Sequence, residues 1–270
     1  MRLHDDFVVE SVLIPQGDRM TACISSQVGC SLTCKFCATG KLKRMRNLNA
    51  DEIVDQVKLV RNTALEKYGA PLSNIVYMGM GEPLLNYAEV VRSIEMITSP
   101  DGLGISPRRL TVSTAGVAKM IRKLADDNLR VNLALSLHAA NDEKRNTIMP
   151  INETNTLDNL ADALNYFVDK TGIRPTFEYI AFKEFNDSIK DAMELVAFCK
   201  RVKSKVNIIE YNAIDGENFQ QTTPERLKAF TQMLEKNGII CNVRRSRGKD
   251  IDAACGQLAN KNKLASQQLK

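Results

Sequence analysis

Between residues 50 and 245, short apolar runs rich in β-branched residues alternate with longer stretches in which apolar positions recur every three or four residues. The longer stretches predict helices near 50–68, 86–98, 116–127, 157–171, 187–203 and 222–236, and the shorter runs predict strands near 74–79, 108–113, 130–136, 175–182, 205–210 and 239–244. Strand and helix in regular alternation with short connections predict an α/β fold, a parallel sheet built from βα units of the partial (β/α)6 type. Two extended runs, 7–14 and 20–26, flank Pro15, Gln16, Gly17 and Asp18 and predict a β-hairpin ahead of the first helix. After residue 245 the pattern breaks into a polar loop, a short IDAACGQLA stretch and a polar tail. The organisation predicted is a hairpin extension over 1–26, one barrel over 27–259 and a frayed tail over 260–270.

Composition narrows the class. Hydrophobic residues make up 44% of the 270 and charged residues 26%, enough for a sizeable core. No run approaches the ~18 apolar residues of a membrane span. The start, MRLHDDFVVE, carries acids where a secretion signal needs a basic and then an apolar stretch, so a reducing cytoplasm is the expected compartment. The net charge of +5 is clustered: Lys35, Lys41, Lys43, Arg44 and Arg46 fall together with no acid among them, and the last thirty residues hold seven basic against two acidic. Such clusters point to a polyanion partner, or to an ordinary solvated face.

Seven cysteines, four of them at 23, 30, 34 and 37, do not make the framework of a small secreted domain. Cys30, Cys34 and Cys37 read C-x3-C-x2-C. Three thiolates cannot complete a four-cysteine zinc site, whereas an iron–sulfur cluster can use three and leave one iron open to a cofactor. Buried thiols or zinc remain alternatives on the cysteines alone. Cys255 between Ala254 and Gly256 reads by itself as a small buried hydrophobe, with Arg244, Arg245, Arg247 and Lys249 near enough in sequence to lower its pKa. Cys199 and Cys241 sit among apolar neighbours and read as packing thiols.

The spacing C-x3-C-x2-C, with Phe36 before the last cysteine, resembles that of the radical S-adenosylmethionine (SAM) enzymes. SSQVGCSLTCKFCATG at 25–40, GMGEPLLN at 79–86, STAGV at 113–117, LSLHAAN at 135–141, NIIEYN at 207–212 and RGKDIDAACGQLA at 247–259 together resemble the bacterial dual-specificity RNA methyltransferases, over roughly residues 3–259. That resemblance implies a radical SAM barrel and a [4Fe–4S] cluster on Cys30, Cys34 and Cys37. It implies a methyl group delivered to C2 of adenine in 23S rRNA and in tRNA beside the anticodon, with two SAM consumed per methylation. In the family one SAM methylates a cysteine, matched by Cys255, and a 5′-deoxyadenosyl radical takes hydrogen from that methyl group. Cys23 matches the thiol that helps release the product through a transient disulfide, and Glu10 matches a proton acceptor, although an acid on such a strand is ordinarily only solvated. SAM contacts map onto Gly81, Glu82, Ser113, Ser136, Leu137, His138 and Asn212, with Gly79 and Gly81 permitting close backbone approach and His138 positioning rather than exchanging protons.

The implied partners are RNA and an electron donor such as a flavodoxin system, acting on a monomer with no membrane. Lys41, Lys43, Arg44 and Arg46, with the four basic residues before Cys255, are expected to form a basic rim for the phosphate backbone, and the buried target base must be extruded to be reached. Aromatic residues are 6% with no Trp, so stacking platforms are not evident. The family's usual N-terminal helical domain, which helps bind RNA, has no match in these 270 residues. The alternatives are the sister family acting at adenine C8, against which Pro83 in GEP weighs, and a non-catalytic RNA-binding or cluster-carrying remnant.

Overall fold

The computed structural model of the chain describes residues 1–245 and 253–259. These form two compact units, the first from 1–33, 37–113 and 253–259, the second from 34–36 and 114–245.

In unit 1, β1 (Val12–Gln16) and β2 (Arg19–Cys23) form the expected hairpin, closed by Gly17 and Asp18. A short ladder of β3 (Gln27–Val28) and β4 (Arg46–Asn47) closes the base of the loop that carries the cysteines. Helix α1 (Ala50–Tyr68), β5 (Leu72–Tyr77), α2 (Tyr87–Thr98) and β6 (Leu110–Thr114) follow. The strand order is β1-β2-β5-β6, antiparallel only at the hairpin. Pro15 is therefore on the outermost strand, opposite Met20, where a ladder tolerates it. Ile24, Ile53, Val57, Ile75, Ile94, Leu110 and Val112 are buried and form its core.

The start of α1 shows why the helix begins where periodicity placed it. The Asn49 side chain accepts from the Glu52 amide while the Glu52 carboxylate accepts from the Asn49 amide, and Gly69 in the left-handed region ends the helix. Glu52 also receives both ends of the Arg46 guanidinium at 2.8 Å.

Unit 2 carries α3 (Ala118–Asp127), β7 (Asn132–Ser136), α4 (Asp142–Ile148), α5 (Leu157–Thr171), β8 (Thr176–Ala181), α6 (Ile189–Arg201), β9 (Lys205–Glu210), α7 (Pro224–Lys236) and β10 (Cys241–Arg244). Its strands run β7-β8-β9-β10 and all are parallel. β7, β8 and β9 are buried over most of their length, with Leu133, Leu135, Phe177, Tyr179, Val206 and Ile208 in the core, whereas β10 is mostly exposed. In chain order β2, β5, β6, β7, β8 and β9 are each followed by a helix, which is the expected α/β alternation.

The predicted helices and strands are all present, three of them (α1, α5 and β9) with the predicted bounds. One helix, α4, was not expected: DEKRNTI is too short and polar to show an apolar period, and it is held by the Asn141 cap and by tertiary contacts of Arg145. The first hairpin strand begins later than expected, because an Arg2–Val8 bridge holds residues 7–10 out of the ladder. The tail over 260–270 lies outside the described residues. No helix among the described residues is long and apolar enough to cross a membrane. Replacing Asn49 by Ala is expected to cost about 1 kcal/mol in urea-induced unfolding by removing the α1 cap; an unchanged midpoint and slope would show that Glu52 caps the helix unaided.

Candidate functional site

The carboxyl end of β2 gathers the thiol chemistry of unit 1. Cys23 is the last residue of β2 and is buried; Glu10 lies beside the continuation of that strand, its carbonyl accepting from the Ser25 hydroxyl at 2.6 Å. Glu10 is thus outside the hairpin ladder, its backbone against Ser25, two residues beyond Cys23. The segment 253–259 docks onto the loop that follows Cys37. The Ala38 amide donates to the Gly256 carbonyl at 2.8 Å, and the Thr39 hydroxyl to the Leu258 carbonyl at 2.7 Å. Ala254 and Leu258 are buried by this docking while Cys255 between them stays exposed. The two cysteines, far apart in sequence, come within electrostatic reach. Burial, and then the Cys255 charge, push the Cys23 thiol up to about 12. All seven cysteines are thiols, so the expected Cys23–Cys255 disulfide is not formed in this structure. Of the basic group before Cys255, Arg247 and Lys249 lie outside the described residues, whereas Arg244 and Arg245 are exposed.

Cys30 and Cys37 are half-buried in the same unit and interact electrostatically with each other. The Leu32 amide donates to the Cys30 sulfur at 3.4 Å. Burial pushes the Cys30 thiol up to about 11, and the charges of Cys37 and Glu82 add to the effect. Among the described residues no three His, Cys, Asp or Glu side chains converge as ligands of a single metal ion. The donor set, three thiols within eight residues with an amide already on one sulfur, fits an iron–sulfur cluster.

Glu82 caps a 3-10 turn after β5, its carboxylate accepting from the Leu84 amide at 3.0 Å, and it is buried. The glycines of GMG pack closely against the chain that leaves β2. A Cβ on Gly79 would lie 2.7 Å from the Ile24 backbone, and one on Gly81, at φ 94°, 2.5 Å from the Gln27 side chain. Their missing side chains make room for this exit. The Gln27 carboxamide oxygen accepts from the Glu82 amide at 2.9 Å and so positions the acid. Ser113 stands on β6, half-buried.

The expected basic rim is smaller than it reads in sequence. Arg46 is committed to Asp5 and Glu52, at 2.5 and 2.8 Å, and the Arg44 guanidinium donates to Asn47 at 3.2 Å. Lys41 and Lys43 remain exposed beside Arg44.

In unit 2, Ser136, Leu137 and His138 lie at the end of β7 and Asn212 just beyond β9. His138 is held rigidly. Its backbone is in the left-handed region at φ 55°, its Nδ1 accepts from the Ile180 amide at 3.0 Å, and its carbonyl accepts from the Asn186 amide group at 2.6 Å. Because Nδ1 is an acceptor, the proton is on Nε2. Burial, followed by the nearby Arg145 charge, lowers its pKa to about 3, so it is neutral. Its ring meets Phe36 edge-on with centroids 4.5 Å apart.

Two features of unit 2 were missed in the sequence. Arg145 is fully buried, and its guanidinium donates to the carbonyls of Ala115, Ser136 and Leu137 and to the Asn152 side chain, at 2.5 to 3.1 Å. Five of the chain's six Tyr and nine Phe gather in one cluster: Phe36, Phe185, Tyr211 and Phe219 surround Phe182 with centroids 4.6 to 6.2 Å away. Only Phe185 and Phe219 are half-exposed.

Two measurements check these assignments. Iodoacetamide at pH 8 is expected to label Cys255 before Cys23, since at a pKa of about 12 only about 10⁻⁴ of Cys23 is thiolate; equal rates in peptide maps would contradict the burial of Cys23. His138 is neutral when folded and protonates when unfolded, so it stabilises the fold above about pH 6.5, and that stabilisation is lost as pH falls toward its folded value of about 3. Urea titrations should show this loss, at most about 1.4 kcal/mol per pH unit, and His138→Gln should lack it.

Comparison with known proteins adds identity to this geometry. The radical SAM superfamily profile matches residues 24–196. The "Probable dual-specificity RNA methyltransferase RlmN" of Christiangramia forsetii is 61% identical over 261 residues, covering 97% of this chain and 74% of the relative. That of Cytophaga hutchinsonii is 60% identical over 260 residues, covering 96% and 71%. The crystal structure of a radical SAM methyltransferase from Sphaerobacter thermophilus matches with a TM-score of 0.90 at 42% identity, covering 93% of this chain and 73% of that one. At these identities over nearly all of its length, the chain belongs to the RlmN family of dual-specificity RNA methyltransferases within the radical SAM superfamily.

Proposed function

We propose that this radical SAM RNA methyltransferase places a methyl group on C2 of adenine in 23S rRNA and tRNA, with Cys255 as the methyl carrier and a [4Fe–4S] cluster on Cys30, Cys34 and Cys37. The observation that carries the reading is the meeting of Cys23 and Cys255 at the end of β2, beside the loop of Cys30 and Cys37.

Adenine C2 lies between two ring nitrogens and has no lone pair, so it cannot attack the methyl group of a sulfonium. The carbon must arrive on a carrier as a radical. When bound, the cluster supplies the single electron that cleaves SAM to the 5′-deoxyadenosyl radical, which takes hydrogen from the S-methyl group. Cys255, exposed between two small residues, is the thiol that a first SAM methylates. Cys23 is protonated at neutral pH and protected by burial, and Glu10 is the proton acceptor of the reaction. The methylene radical left on Cys255 adds to C2, and the adduct loses the C2 proton to Glu10 and one electron, for which the oxidised cluster would be the acceptor. Cys23 then attacks the Cys255 sulfur while its proton passes to the departing methylene carbon, so that the sulfur–carbon bond breaks, the methylated base leaves and a disulfide remains that an external dithiol reduces. Two SAM are consumed per methylation. Gly81, Glu82, Ser113, Ser136, Leu137, His138 and Asn212 hold SAM, Glu82 accepting from its ammonium group. Supply of electrons by a flavodoxin-type donor, a cytoplasmic setting and a monomeric state belong to the same reading.

The experiment is a peptide map of protein expressed with SAM available. The Cys255 peptide should be heavier by one methylene, and a mark on Cys199 or Cys241 instead would overturn the carrier. Nucleoside mass spectrometry of RNA treated with the anaerobically reconstituted enzyme should then show 2-methyladenosine; 8-methyladenosine would assign the chain to the sister chemistry, and RNA binding without deoxyadenosine release would leave a binding module.

A further inference from the structure

The strongest charge buried in unit 2 has no role in the scheme above. Arg145, on the short helix α4, has no solvent exposure, and each of its four hydrogen-bond acceptors is neutral: three backbone carbonyls and the Asn152 carboxamide. A cation taken out of water without a carboxylate on its fork is costly unless an anion faces it at some distance.

The geometry shows what faces it. The segment Cys34–Phe36 is packed between the two elements that Arg145 joins. The Lys35 amide donates to the carbonyl of Ile148 at the end of α4, and Phe36 lies against His138, next to the Leu137 carbonyl that Arg145 holds. Cys34 and Asp142 are the acidic groups that interact electrostatically with the guanidinium. The Asp142 carboxylate accepts from Asn152 at 2.7 Å and from the Leu157 amide at 2.9 Å, so it is turned toward the same network.

We propose that Arg145 is a positioning residue for the iron–sulfur cluster: it clamps the ends of β6 and β7 to α4 around the Cys34 segment and keeps a fixed positive charge beside Cys34 that makes the cluster easier to reduce. The inference rests on the cluster reading of Cys30, Cys34 and Cys37. A positive charge held in a low-dielectric interior favours the electron-rich state of a nearby group, and net local charge is among the determinants of cluster potential.

The test is the midpoint potential of the anaerobically reconstituted full chain, followed by electron paramagnetic resonance and normalised to bound iron. Arg145→Gln is expected to shift the midpoint to more negative values, Arg145→Lys to leave it near that of the unchanged protein, and Asp142→Asn to shift it to more positive values. An amide oxygen at 142 can still accept both hydrogen bonds, so Asp142→Asn is the variant on which the outcome turns if Arg145→Gln does not fold by circular dichroism. Unshifted potentials in the iron-loaded variants would overturn the proposal and reduce Arg145 to a structural clamp. If the unchanged protein binds no iron and sulfide at all, it is the cluster reading that fails, a distinguishable result.

Discussion

A parallel strand ends in carbonyl groups that have passed their last ladder partner, and a buried site at such ends must supply donors for them. At β6 and β7 that supply is one side chain, the Arg145 fork, which reaches Ala115, Ser136 and Leu137 at once. Asn186 does the same after β8: its amide group donates to the carbonyls of His138 and Ile180, its side-chain oxygen accepts from the Phe182 amide, and its own carbonyl accepts from the Tyr179 hydroxyl. The loops of unit 2 are fixed by these two residues before any ligand is considered, and such fixing is what a site for a reactive radical requires.

In unit 1 the same need is met from the other side. There the polar groups are satisfied by residues that lie between motifs: Gln27 holds Glu82, and Thr39 and Ala38 hold the segment around Cys255. Burial makes Cys23 the slower thiol and exposure makes Cys255 the accessible one, so the reactivity of two chemically identical groups is set by where the chain has placed them.

Most of the fold was legible in the sequence because its signals are local. The apolar period marks α1 and α6, and short β-branched runs alternating with such periods mark a parallel sheet of βα units. Helix α4 was not legible, since its stability comes from contacts outside its own seven residues. The same holds for the site. C-x3-C-x2-C could be read from spacing, but the encounter of Cys23 with Cys255, the aromatic cluster around Phe182 and the buried Arg145 depend on long-range packing that no window of sequence contains. Arg46 went the opposite way: it reads as one of a run of basic residues, yet two carboxylates from elsewhere in the chain take its charge.

Pro15 on the outermost strand of unit 1 has a consequence beyond the fold itself. Its partner Met20 directs its amide to the Ser73 hydroxyl on β5, so the two residues of this pair point their nitrogens away from each other, and the nitrogen of Pro15 faces outward. A β-strand arriving from another molecule would meet a ring where it requires a hydrogen-bond donor. The hairpin thus carries, on its own free edge, a block to edge-to-edge aggregation.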